Sequence, residues 1–205
     1  MNIEVKITKK PMDYAESMKI LEKRMLDVLA DKKDEFLWIL EHKTVYTGGK
    51  SSDAKDLIDK SVQILKADRG GKYTVHSPGQ KVIYFVLNLN KRKKDIRKLV
   101  NNLEDCIINV LKEYKLKSTK DKKNIGIWIQ KNNKSMKIAA IGIKIKKWIA
   151  YQGFSLNINN DLTMYNKIIP CGIKDKGVTS LKDLGINNYK NINKMIAKNF
   201  LNTFL

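Results

Sequence analysis

The chain has 205 residues, 42% hydrophobic and 30% charged, with a formal net charge of +20 from 41 basic and 21 acidic residues. That length can bury a real core, and the hydrophobic fraction excludes a disordered chain. No apolar run approaches the ~20 residues that span a bilayer, and two cysteines, Cys106 and Cys171, make no disulfide framework.

The first ten residues, "MNIEVKITKK", hold no apolar core followed by a small-residue cleavage site, so no signal peptide is expected and a reducing cytosol is the expected home. From Asp13 to about Ala30, Tyr14, Met18, Leu21, Met25 and Val28 recur at helical spacing. Phe36 to His42, "FLWILEH", reads as a buried strand, and "SSDAKDLI" as a loop entering a short turn. Lys81 to Leu89, "KVIYFVLNL", is a second strand, rich in β-branched and aromatic residues. After Asn90, Ile96, Leu99, Leu103, Ile107, Val110 and Leu111 form one apolar helix face. Cys106 lies on that face and reads as a small buried hydrophobe. "STKDKKN" is a charged, solvated turn, and "IGIWIQ", "MKIAAIGIKIKKWIA" and "YQGFSLNI" follow as successive strands. A turn-rich stretch leads to a last helix, near Asn191 to Phe204. Residues 1–205 are expected to form one α/β (or α+β) domain, a mixed β-sheet flanked by helices.

Four stretches could carry chemistry. In "IIPCGI", Cys171 stands between Pro170, which fixes one backbone dihedral, and Gly172, which relaxes another. A thiol there is poorly suited to core packing. In "RGGKYTVHSPGQ", Gly70 and Gly71 allow backbone to approach a ligand, Arg69 can bind an anion, and His76 can exchange a proton near neutral pH. The bland reading is a glycine-rich hairpin with an idle arginine. Because they lie in a loop, Arg69 and His76 are expected to serve a substrate rather than stability. In "KIAAIG", regular alternation would put Lys137 on one face with Ala139, Ile141, Ile143 and Ile145, and Lys144 and Lys146 on the other. A lysine so desolvated can do acid/base work, although a strand-end lysine that snorkels to water is the ordinary alternative. In "GFSLNI", Gly153 could admit a ligand, but the segment alone is an ordinary strand start. No spaced His/Cys cluster suggests a metal site.

The positive charge allows two readings. It can serve nucleic acid, an anionic membrane or an acidic protein. It can equally reflect codon bias, since Lys, Asn and Ile are all abundant. Aromatics are only 8% and do not interleave with basic runs as stacking platforms would. A basic nucleic-acid-binding module would explain the charge but neither Cys171 nor the glycine-rich loop.

Taken in order, "LWILEHKTVYTGGKS", "RGGKYTVHSPGQKVIYFVLNL", "GIWI", "KIAAIGIKIKKWIAYQGFSLNINNDLTMYNKIIPCGI" and "GVTSL" cover most of the chain from Leu37 to Leu181. Together they resemble the lipoyl(octanoyl) transferases, the lipoate-protein ligase B type. The resemblance implies a biotin/lipoate protein ligase-like fold, of the class II aminoacyl-tRNA synthetase and biotin synthetase-like group. It implies transfer of octanoyl from octanoyl-acyl carrier protein to a lysine of lipoyl domains, those of 2-oxoacid dehydrogenases and the glycine cleavage H protein, in a cytoplasmic acyltransferase without cofactor, nucleic acid or membrane. It implies Cys171 as the acyl-thioester nucleophile and Lys137 as the partner that lowers its pKa. The acyl substrate would bind Arg69, Gly70, Gly71, Lys72, Tyr73, Thr74, Val75 and His76, then Ala140, Ile141 and Gly142, then Gly153, Phe154 and Ser155. Three positions depart from the family's usual pattern: Gln152 for a histidine, "YTGGK" for "YTLGR", and Ser77 for a glycine. They bear on pocket shape. The nearest alternatives are an ATP-dependent lipoate or octanoate ligase and a lipoyl-domain amidotransferase of the same superfold.

Overall fold

The computed structural model describes residues 2–170 and 176–205. Within them the elements run β1 (Ile3–Ile7), α1 (Tyr14–Leu29), β2 (Glu35–Leu40), β3 (Val45–Gly48), β4 (Ile64–Lys66), β5 (Tyr73–His76), β6 (Gln80–Asn88) and α2 (Ile96–Glu113). Then follow β7 (Thr119–Lys120), β8 (Ile127–Lys131), β9 (Lys134–Lys146), β10 (Ile149–Asn157), β11 (Gly177–Val178) and α3 (Ile192–Phe204). The main sheet has the order β1-β2-β6-β10-β9-β8-β7, mixed because β1 lies parallel to β2 while the neighbours from β2 to β7 are antiparallel. β4-β3-β5 form a second, small sheet. The mixed sheet with flanking helices is the architecture expected from the sequence.

Alternation along β6 builds both faces of the main sheet. Ile83, Phe85 and Leu87 join one core with Leu103, Ile107 and Val110 of α2 and Ile196 and Phe200 of α3. Val82, Tyr84 and Val86 join the other, with Leu21, Met25 and Val28 of α1. A strand buried on both faces reads as a continuous apolar run, as "KVIYFVLNL" does. Helix α1 starts where Asp13 caps it, its carboxylate accepting the Glu16 N–H at 3.0 Å.

The strand assignment changes in several places. β7 (Thr119–Lys120) lies in "STKDKKN", read as a turn, and β5 (Tyr73–His76) lies in the stretch read as a loop, because each is too short to show a period or pairs with a strand distant in sequence. β1 gives no strong signal in the sequence because it is an edge strand: Ile3 is buried, while Val5 and Ile7 are exposed. "MKIAAIGIKIKKWIA" is not one strand. It ends at Lys146, and Lys147 and Trp148 form a two-residue turn with φ of 49° and 61° before β10 begins at Ile149. Tight hairpins need left-handed dihedrals at both turn positions, usually met by Asn-Gly or Asp-Gly. Lys-Trp carries no such signal.

Candidate active site

The hairpin of β9 and β10 sets Gly142 opposite Gly153. A Cβ on Gly153 would stand 1.9 Å from the Ile83 carbonyl oxygen, so no other residue fits that position. A Cβ on Gly142 would press on the Arg69 Cδ at 3.3 Å, so this glycine lets the Arg69 stem lie along β9. Above the two glycines the chain from Arg69 to Thr74 roofs a cavity. Ala140, Ile141 and Gly142 of β9 and Gly153, Phe154 and Ser155 of β10 line it, together with His76. Every binding residue named from the sequence therefore borders one space, with the exception of Val75. Thr74 and His76 face the cavity, so alternation turns Val75 the other way, into the small core with Tyr46, Tyr165 and Ile168.

Four further lining residues escape the sequence reading: Tyr14, Val82, Tyr84 and Gln152. The first three look like ordinary core positions of α1 and β6. Gln152 shows in the sequence only as a departure from the family pattern.

The roof is braced. Arg69 Nη2 donates to the fully buried Thr47, at 2.7 Å to Oγ1 and 3.2 Å to the carbonyl oxygen, and Nη1 donates to the Gly70 carbonyl at 3.0 Å. Asp68 pairs with Lys50 at 2.8 Å and with Lys144 of β9. These two lysines hold the exposed Asp68 carboxyl down to about 2. Lys72 pairs with Asp56 at 2.7 Å. Arg69 thus has a structural role beside any contact with substrate, and Lys144 is part of the loop's anchorage.

The histidines beneath the cavity are neutral. His42 Nδ1 faces the Met12 carbonyl at 3.1 Å, so it carries the proton, and Nε2 accepts from the Tyr84 hydroxyl at 2.8 Å. His76 Nδ1 stands 2.6 Å from Gln80 Oε1. The Gln80 nitrogen is committed to Asn157 at 2.8 Å and Tyr165 at 2.9 Å, so Oε1 is the acceptor and Nδ1 the donor. Burial pushes His42 down to about 4 and His76 down to about 3, the latter helped by the nearby His42. This corrects the expectation that His76 exchanges a proton near neutral pH. Its desolvation is too large, and it offers a neutral ring.

Lys137 reaches the site by a break in alternation. Trp128 pairs with Lys137, but the next residue back, Ile127, pairs with Ala139, so Ile138 is an extra residue in β9. Ile138 and Ala139 both join the core under α2 and α3. Lys137 is therefore on the opposite face from Ala139, not on the same face as the uninterrupted pattern predicts. Its Nζ donates to the Ile125 carbonyl at 3.1 Å and lies 4.7 Å from the centroid of the Trp128 ring. The Lys176 Nζ lies 4.5 Å from the same ring. Gly126, at φ 131°, makes room for the Lys137 stem, since a Cβ there would come within 3.3 Å of its Cε.

Lys137 borders a second, smaller cavity with Pro170 and Val178. Thr74, Ala140 and Ser155 line both cavities, so the two meet along those residues. Cys171 and Gly172 lie outside the described residues. Cys106 is fully buried in α2, and desolvation pushes its thiol up to about 12. Among the described residues no group of His, Cys, Asp and Glu side chains could hold a metal ion. None of the described helices is long and apolar enough to cross a membrane.

The model of the lipoyl protein ligase A/B catalytic domain matches residues 13–201. The octanoyltransferase of Ehrlichia canis (strain Jake) is 40% identical over 98% of this chain and 96% of its own. That of the Wolbachia of Brugia malayi is 43% identical over 90% of both. Among solved structures, a bipartite lipoate protein ligase from Thermoplasma acidophilum covers 99% of this chain and 84% of its own at a TM-score of 0.77 and 14% identity. A lipoate-protein ligase A bound with ATP aligns over 99% of this chain and 85% of its own at 0.76 and 14%. At such identities the structural likeness concerns the fold.

Proposed function

We infer that this chain, which belongs to the lipoyl protein ligase A/B catalytic-domain family, carries its acyl group as a thioester on Cys171, with Lys137 as the partner of that thiol. Octanoyl transfer in lipoate biosynthesis is its activity, and it is an acyltransferase. The observation that carries the covalent reading is the meeting of two cavities. The glycine-rich roof covers one, and the other holds Lys137 beside Pro170, the residue bonded to Cys171.

The donor is octanoyl-acyl carrier protein. The Cys171 thiolate attacks the donor thioester carbonyl, a C–S bond forms, and the carrier thiolate leaves and takes up a proton. The bond made and the bond broken are alike, so this step is nearly balanced. The acceptor is the lysine amine of a lipoyl domain. It attacks the acyl-enzyme carbonyl, the Cys171 thiolate leaves, and an amide forms, which drives the reaction forward. Lys137 favours the thiolate as a neighbouring cation and can pass on the proton that the amine loses. The acyl chain lies in the roofed cavity against Ala140, Gly142 and Gly153, and the enzyme works in the cytoplasm.

Intact mass after incubation with octanoyl-acyl carrier protein tests this. One added octanoyl group, mapped to Cys171 and released by a lipoyl domain as an amide on its lysine, is the expected result. Acyl transfer only from free octanoate with ATP would assign the ligase reaction instead.

A further inference from the structure

Gln152 combines two features that cost stability. Its φ is 71°, a left-handed value in the interior of β10, where a residue with a Cβ is strained. Its side chain is shielded from water: the residue is 6% accessible, and Oε1 is buried without a hydrogen-bond partner. The nitrogen end makes only a 3.9 Å contact with Met18 Sδ of α1. A buried amide oxygen without a donor is unfavourable, and such groups call for an explanation.

The two features share one cause in the fold. Gln152 is in register with Phe85 and Ile143, which face the core under α2 and α3. Regular alternation would send its side chain there too. The left-handed dihedral turns it to the other face, where it lines the roofed cavity beside Tyr14 and Tyr84. The backbone is strained, and the amide oxygen is left unpaired, where this side chain stands in the cavity wall.

Its position along the cavity is specific. The cavity meets the Lys137 pocket at Thr74, Ala140 and Ser155. Gln152 is three residues from Ser155 on β10, roughly 10 Å at the rise of a strand. An extended eight-carbon chain spans roughly 9 Å, from C–C bonds of about 1.5 Å at tetrahedral angles.

We propose that Gln152 is a specificity-determining residue whose side chain forms the end wall of the acyl cavity and limits the chain to about eight carbons. This rests on the reading that the acyl carbonyl reacts at the Lys137 end. The wall acts by volume. A longer chain meets the Gln152 side chain, and removing that side chain extends the cavity towards Met18.

The experiment competes octanoyl and decanoyl thioesters of acyl carrier protein at equal concentration and reads the two acyl-enzymes by mass. Gln152→Gly is expected to raise the decanoyl-to-octanoyl specificity ratio at least about tenfold, the scale of burying two further methylenes. It should also raise the melting temperature, because glycine is unstrained at that dihedral. Gln152→Ala, which shortens the side chain without relaxing the backbone, should move the ratio in the same direction. Gln152→Met keeps the length and removes the amide, and should leave the ratio near that of the unaltered protein. An unchanged ratio in both the Gly and Ala proteins would overturn the end wall, as would an equal rise in the Met protein. Failure of the unaltered protein to form any octanoyl-enzyme would instead overturn the covalent reading on which the wall depends.

Discussion

Lys137 stands directly across from Trp128 in the β8–β9 pair, its Nζ 4.7 Å from the ring centroid, and the extra residue Ile138 that follows it puts Lys137 and Ala139 on opposite faces of β9. The bulge places a lysine with only 7% exposure in the wall of the smaller cavity, held from one side by an aromatic face and from another by the Ile125 carbonyl.

That placement predicts the behaviour of Lys137→Met. The substitution keeps much of the volume and removes the charge. The pH midpoint for alkylation of Cys171 should rise by at least about one unit, roughly 1.4 kcal/mol of lost thiolate preference. Octanoyl transfer should fall with it. Lys146→Met, at an exposed position of the same strand, should change neither. A folded Lys137→Met protein with an unmoved midpoint would remove this lysine from thiol activation. The neutral His76 could not take its place as a cation.

The two cysteines should separate cleanly. Cys106 is buried and its thiol is pushed up to about 12, so it is protonated and shielded at neutral pH. Cys106→Ser should retain the acyl-enzyme and transfer, with stability reduced by about 1–2 kcal/mol as a more polar group takes a buried site. Cys171→Ser should lose both activities with its melting temperature unchanged. Mass spectrometry of the two proteins after incubation with the octanoyl donor makes the comparison.

Arg69→Ala should slow acylation and also lower stability. The second effect follows from Thr47, whose fully buried hydroxyl would lose a charged donor at 2.7 Å, a loss of about 1–3 kcal/mol. Arg69→Lys keeps the charge but cannot bond Thr47 and Gly70 together, so it should fall between. Urea titrations and single-turnover acylation would measure the two effects separately. Lys144→Met, which frees Asp68 from β9, should slow acylation through the same loop with a smaller loss of stability.

Acid should destabilise the protein before its carboxylates titrate. His42 and His76 are held to about 4 and about 3 in the folded chain, against about 6.5 when unfolded. Between those values the unfolded chain binds more protons, so stability is complete above about pH 6.5 and falls as pH drops towards 3. From pH 7.5 to 5.5 the loss should be about 1 kcal/mol for each histidine. His76→Asn should flatten part of that slope in urea titrations. A slope that is identical in the variant would mean that His76 is not the group concerned.

The charge of +20 should speed encounter with acidic protein partners, an effect on association more than on bound complexes. Raising salt should lower the second-order rate with octanoyl-acyl carrier protein while the acyl step at saturation stays flat. Indifference to salt would leave the charge as a consequence of codon usage.

Features that depend on local pattern are legible along the chain. Helical spacing located α1 and α2, and continuous apolar runs located β2 and β6, because burial on one or both faces writes its period into the chain. The ordered motifs named the family and gathered most of the residues that line the roofed cavity, though not Tyr14, Val82, Tyr84 or Gln152. Tertiary structure decided what depends on breaking the pattern. One extra residue at Ile138 moved Lys137 to the face opposite Ala139, and one left-handed dihedral moved Gln152 out of the core and into the cavity wall. Neither break has a sequence signal, since isoleucine is ordinary in a strand and glutamine is not a turn residue. Packing decided the histidines in the same way. His76 reads as a loop residue able to exchange a proton near neutral pH, but it is the buried end of β5, and desolvation rather than residue type sets its charge. A side-chain period can be read along the chain. The field and the solvent that a side chain meets come from segments distant in sequence, and only the folded chain brings them together.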